Sequence, residues 1–141
     1  MNRTAPYRRS LSTFAWTLQG LLTVVFAGGG LYKLVTPYAE AVEQFGDIPH
    51  GLLITASIFE MVGGLGVLLP SLTRVLPAVT VLAALGCALL QGAAVVFHVL
   101  EGDSGELALN VALIAVALGV AWIRWRVVPI RPRTVTALDG S

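Results

Sequence analysis

An all-α fold, an integral membrane antiparallel four-helix transmembrane bundle, is the class this sequence predicts, and three observations predict it. Charged types make up 12% of the 141 residues and apolar types 56%, with a mean hydropathy of +0.82. Soluble domains carry roughly 25% charge, and a small globule has a large surface to cover, so an ordinary soluble domain is excluded. Disorder is excluded too, because it needs low hydrophobicity. Second, the charges leave four long windows: residues 10–32, 75–100 and 107–123 hold none, and 48–73 hold only Glu60. A spanning helix needs about 20 apolar residues, with about 17–25 usual. A β-barrel would instead show alternating segments of about ten residues. Third, the signs of the flanking charges alternate along the chain, as an even number of spans requires.

The elements follow in order. Residues 1–10 form an N-terminal segment carrying Arg3, Arg8 and Arg9. Span one covers about 11–35. Arg8 and Arg9 before an apolar run, with Ala27-Gly28-Gly29 as a small-residue site, resemble a signal peptide, but the run exceeds the usual core of about 7–15 residues. A retained span is therefore expected. The first outer connection, about 36–48, carries Glu40, Glu43 and Asp47. Within it, 37–46 has Pro at a plausible helix start and Gly at the stop, with Ala41, Val42 and Phe45 on one face. A short interfacial helix and a solvated acidic loop both fit.

Span two, about 49–69, is followed by a short connection ending in Arg74, then span three, about 75–100. The second outer connection carries Glu101, Asp103 and Glu106. Span four, 107–123, is short, and Glu106 and Arg124 extend it by snorkelling to the interfaces. The four-helix domain is thus 11–125, followed by a basic tail, 126–141, whose end reads as frayed.

By the positive-inside rule, both termini and Arg74 face the cytoplasm and the acidic connections face outward, giving a multi-pass protein of the cell inner membrane. Trp16, Trp122 and Trp125 lie near the cytoplasmic ends and Tyr32 and Tyr38 near the outer end, as interfacial aromatics do. The C-terminal Arg run follows from this topology and from attraction to anionic lipid. Short connections make successive helices antiparallel neighbours.

Cys87 is the only cysteine, so no CxxC pair or internal disulfide exists. Mid-span, it reads as packing. No phosphate-binding, zinc-protease, nucleophile-elbow or nucleic-acid motif occurs, and no nucleic-acid partner is expected.

Polar residues inside the spans carry the chemistry. At 1.5 Å rise per residue, Lys33 and His98 lie about 3 Å below the outer boundary, Asn110 about 5 Å, Gln91 about 13 Å and Glu60 about 16 Å. Glu60 and Gln91 form a midplane layer. Lys33, His98 and Asn110 form an outer one, with Tyr32 and His50 at similar height. Apart from Gln19, the inner half shows no such groups. Gln91 and His98 share a helix face with Ala84 and Cys87. A carboxylate at the bilayer centre costs at least about 2.5 kcal/mol, so Glu60 must be protonated, paired or beside water. Lys33 is the only cation able to approach it. A direct pair across about 13 Å of depth needs tilt, a kink at the glycines or a bridging water. Gly28, Gly29, Gly30, Gly63, Gly64 and Gly66 read as helix-packing seams, or as room for a ligand beside Lys33 and Glu60. Asn110 reads as an interhelical hydrogen-bonding group. A bis-histidine haem on His50 and His98 is geometrically conceivable, but nothing else in the sequence supports it.

The segment Gly28-Gly29-Gly30-Leu31-Tyr32-Lys33-Leu34, Phe45-Gly46 with Pro49, Glu60-Met61-Val62-Gly63-Gly64-Leu65, Arg74 after a Pro-containing turn, His98 before Gly102-Asp103, and Asn110 together resemble the DoxX-like family of small four-helix membrane proteins. The resemblance covers about 11–125, and Lys33, Glu60, Gly63 and Gly64 match its pattern. It implies a four-helix transmembrane bundle. It also implies a non-autonomous subunit of a membrane or periplasmic oxidoreductase, with a quinone as candidate cofactor or ligand. Lys33, Glu60, Gln91, His98, Asn110 and Tyr32 are the candidate ligand-binding or proton-handling residues, in an outward-facing polar pocket. No catalytic residue and no metal site is assigned. The competing expectation is a non-catalytic scaffold or assembly factor whose buried polar residues only fix helix packing.

Overall fold

In a computed structural model, residues 4–102 and 104–133 are described. Arg3, Asp103, Asp139 and the tail from 134 onward fall outside the described residues. Helix α1 runs Thr4–Val35, α2 Tyr38–Phe45, α3 His50–Thr73, α4 Ala78–Glu101 and α5 Leu107–Trp122, the last continuing as a π-helical turn, Ile123–Val127. No strand occurs among the described residues. Four helices are long and apolar enough to cross a membrane. They pack as successive antiparallel neighbours, α1 on α3, α3 on α4 and α4 on α5, with α5 closing against α1.

The ends of the helices follow from local chemistry. Pro37 and Pro49 precede α2 and α3, where a missing N–H costs nothing. Gly102, at φ 74°, ends α4 in the left-handed conformation that glycine adopts without strain. Helix α1 begins seven residues before residue 11, the start of span one that the sequence predicts. Its 32 residues span about 48 Å, against a hydrocarbon core of about 30 Å, so its first turns project beyond the apolar zone with Arg8 and Arg9. The segment after the π turn is not frayed as far as residue 133: the Arg74 side chain donates to the Arg131 carbonyl, and the Arg133 amide to that of Arg74.

The core between the helices is made of Leu22, Phe26, Val67, Cys87, Leu113 and Val120 with alanines between them. Val24, Phe59, Leu82, Leu89 and Val111 point outward and are exposed, as lipid-facing positions are. The glycines divide into two kinds. A Cβ on Gly30 would lie 2.5 Å from the Ser57 carbonyl oxygen, and one on Gly64 2.6 Å from the Ala27 nitrogen. These two bring the α1 and α3 backbones together. Gly63 and Gly66 do the same for α3 and α4, where a Cβ would meet Cys87 Sγ at 2.9 Å and Ala83 Cβ at 3.0 Å. Gly28 has no atom within 4 Å of such a Cβ, so no close approach requires glycine there. Gly64→Ala is accordingly expected to cost ~1–3 kcal/mol by overpacking against backbone. Gly28→Ala, removing only glycine's helix penalty, should stabilise by up to ~1 kcal/mol. Thermal unfolding of the two variants in detergent checks the contrast.

Candidate functional site

Lys33 is on the last turn of α1 and Glu60 is the eleventh residue of α3. The two helices do not end at one level. Gly30 packs against Ser57 and Met61, which leaves α3 projecting about 6 Å beyond α1 at this end. The depth difference expected from equal ends therefore halves. Helix Cβ bonds tilt toward the N-terminus, so Lys33 leans inward from α1 and Glu60 leans outward from antiparallel α3. The side chains converge, and Lys33 Nζ donates to Glu60 Oε1 at 2.6 Å with side-chain exposures of 23% and 12%. The pair is direct.

Only one carboxylate oxygen is used. Glu60 Oε2 is buried and has no hydrogen-bond partner. It looks toward Gly29, where a Cβ would stand 4.0 Å away and meet nothing nearer. At Gly29 α1 therefore presents no side chain toward that oxygen, while Gly28 is exposed and meets nothing within 4 Å. Lys33 has further N–H groups beyond the one given to Glu60. A donor and an acceptor thus stand side by side in a part-buried position.

Helix α2 covers this end as a short interfacial helix. Ala41 is buried, and the Phe45 ring lies 5.4 Å from Lys33 Nζ, within cation–π range. Tyr32 meets Phe45 edge-on at 6.4 Å and donates its hydroxyl to Gln44 Oε1 at 2.9 Å. Tyr38 donates to the Ile48 carbonyl and stacks on His50 at 4.5 Å.

The remaining predicted residues fall at different levels. Gly63 faces Cys87, and one turn further out on each helix come Glu60 and Gln91, both buried. Gln91 is thus level with the pair. His98 is two turns, about 10 Å, further out, half-buried and edge-on to Phe97 at 5.8 Å. Asn110 is buried on α5, and its Nδ2 has no partner. Tyr32 is turned to α2 and not to Glu60. The structure therefore joins Lys33 and Glu60, brings Gln91 to their level, and leaves His98 and Tyr32 outside that layer. The larger groove, about 560 Å³ between α3 and α4, is lined by apolar residues including Phe59, Val62, Leu89 and Leu90, and not by Lys33 or Glu60.

A second polar cluster corrects two expectations. The inner half is not bare apart from Gln19, and Arg124 does not snorkel to the interface. The Gln19 amide nitrogen donates to the Val67 carbonyl at 2.7 Å and to Ser71 Oγ at 2.9 Å. Ser71 Oγ lies 2.8 Å from Thr80 Oγ1. Thr23 donates to the Gly64 carbonyl at 2.8 Å. Arg124 is 4% exposed and donates through Nε to Gln19 Oε1 at 2.7 Å. Its guanidinium stands 4.9 Å from the Trp16 ring. One network therefore ties α1, α3, α4 and the π turn after α5. The signal for Arg124 was available: it continues the inward stripe Asn110, Leu113, Ala117, Val120 at alternating three- and four-residue steps. Ser71 and Thr80 gave none, because Ser and Thr in apolar helices ordinarily bond their own i−4 carbonyl.

Residues 17–120 match the family model described as the DoxX-like family. No curated protein and no solved structure matches the chain.

Proposed function

The chain belongs to the DoxX-like family, and on that premise we propose that it binds a lipophilic carbonyl- or hydroxyl-bearing molecule of quinone type between α1 and α3, as a non-autonomous subunit of a membrane oxidoreductase. The observation that carries this reading is the unpartnered, buried Glu60 Oε2, toward which α1 presents Gly29 and no side chain. A buried acceptor without a donor costs ~1–3 kcal/mol or more, and a ligand O–H removes that cost. Lys33 supplies a donor for a carbonyl oxygen, Glu60 accepts from a hydroxyl, and Gln91, at the same level, is a further polar group for the ligand's far side. Glu60 then handles the ligand's proton, while the electron-transferring centre belongs to the partner, since a single cysteine provides no redox pair. By the positive-inside rule the Arg-rich end reads as cytoplasmic in an inner membrane, which supports a site toward the outer side.

The scaffold reading, in which Lys33–Glu60 only fixes helix register, is favoured by the short direct contact. Gly29→Val separates the two. It places a branched side chain beside Glu60 Oε2 while keeping both members of the pair in the sequence. Titration of the detergent-solubilised protein with a short-chain quinol is expected to show at least tenfold weaker binding for Gly29→Val, at unchanged thermal stability. Equal binding by both proteins, or by neither, would leave the register lock as the function of the pair.

A further inference from the structure

At the opposite end of the bundle every described charge is positive. Arg8, Arg9, Arg74, Arg126, Arg131 and Arg133 surround the ends of α1, α3 and the π turn, while the described acidic residues lie on α2, at the last residue of α4, in the loops of the other end or, as Glu60, near mid-span. In place of carboxylates these arginines engage carbonyls: Arg8 donates to that of Val127 and Arg74 to that of Arg131. Arg124 is the extreme case. It is 4% exposed, its hydrogen bonds go to neutral oxygens of Gln19 and Val128, and its Nη2 is buried with no partner. A buried cation without a counter-charge costs several kcal/mol. Arg124 also forms part of the wall of a groove of about 530 Å³, whose other walls include Val81, Leu82 and Leu85 of α4, Trp125 and Ile130.

We infer that this groove is a binding site for an anionic phospholipid, with the phosphate against the Arg124 guanidinium and an acyl chain along the apolar wall of α4. A phosphate oxygen supplies the acceptor and the negative charge that Arg124 lacks, in the bidentate geometry arginine favours. The apolar walls select a lipid over a soluble anion, and the surrounding arginines raise the local concentration of anionic headgroups. The π-helical turn carrying Arg124 is a local widening of the kind often found at functional sites. This site is at the other end from Lys33–Glu60 and does not depend on the quinone reading.

Delipidated protein in neutral detergent is titrated with phosphatidylglycerol or with phosphatidylcholine of the same acyl chains, and bound lipid is counted by native mass spectrometry. The wild type is expected to prefer phosphatidylglycerol about fivefold, the order expected for one arginine near an anionic surface. Arg124→Gln should abolish the preference, while Arg126→Gln, altering a surface arginine stacked on Trp125, should keep most of it. Leu82→Trp fills the groove with the Gln19–Arg124 contact intact, and should also abolish it; this variant decides the matter if Arg124→Gln does not fold. Equal retention of the two lipids by the wild type, or an unchanged preference in Leu82→Trp, would overturn the inference. Displacement of phosphatidylglycerol by millimolar inorganic phosphate would overturn the lipid assignment in favour of a free-anion site.

Discussion

Lys33→Met is expected to destabilise the bundle by about 3 kcal/mol, at the lower end of what breaking a buried ion pair costs. The loss does not measure the attraction between the partners. It measures the cost of leaving Glu60 in a site that offers it no other donor, since Oε2 is already unpartnered and Lys33 is the one residue bonded to Oε1. The double variant Lys33→Met/Glu60→Leu removes both charges and refills the volume with apolar atoms. It should recover most of the loss, as replacement of buried pairs by packed apolar residues does. Reversible unfolding in mixed micelles of the wild type, both single variants and the double variant closes the cycle. A single variant as stable as the double would mean that Glu60 finds another partner when Lys33 is gone.

Gln19→Leu should be at least as damaging, by about 3 kcal/mol or more. Gln19 is fully buried, and its amide makes three bonds to two other elements at once: it accepts from Arg124 of the π turn and donates to Val67 and Ser71 of α3. Leucine keeps the volume and removes all three bonds. Arg124 then has no oxygen at Nε and still none at Nη2, which is the costly situation of a buried, unpaired cation. Pairing Gln19→Leu with Arg124→Leu should restore a large part of the stability, whereas pairing it with Ser71→Ala should restore little. The same unfolding measurement reads both, and additive losses in the first pair would show that Gln19 and Arg124 do not act as a unit.

The bundle was legible because lipid imposes one simple requirement, uninterrupted apolar length, and four charge-free or nearly charge-free windows meet it. Lys33 and Glu60 were legible as exceptions for the same reason. Their direct contact was not, because depth counted from each window's end assumes that the helices end at one level. The overhang of α3 beyond α1, set where Gly30 seats against Ser57 and Met61, is a packing outcome that no single window records. The glycines looked alike in sequence and separate in space: Gly30 and Gly64 are held against backbone, Gly63 and Gly66 against side chains of α4, Gly29 faces Glu60 and Gly28 meets nothing. Arg124 was misread through its neighbours. Arg126, Arg131 and Arg133 are surface cations, and proximity in sequence grouped Arg124 with them, although its register with Asn110 and Ala117 turns it inward.

If the unpartnered Glu60 Oε2 takes a hydrogen bond from a ligand, the carboxylate itself reports it. Infrared difference spectra are recorded on adding a short-chain quinol to the protein in detergent, with the Glu60 bands assigned by their absence in Glu60→Gln. A hydrogen bond donated to Oε2 is expected to shift the carboxylate stretches of the wild type and to leave Gly29→Val unshifted. A Glu60 spectrum that stays the same at saturating quinol would contradict the proposed binding and leave the Lys33–Glu60 pair as a structural lock.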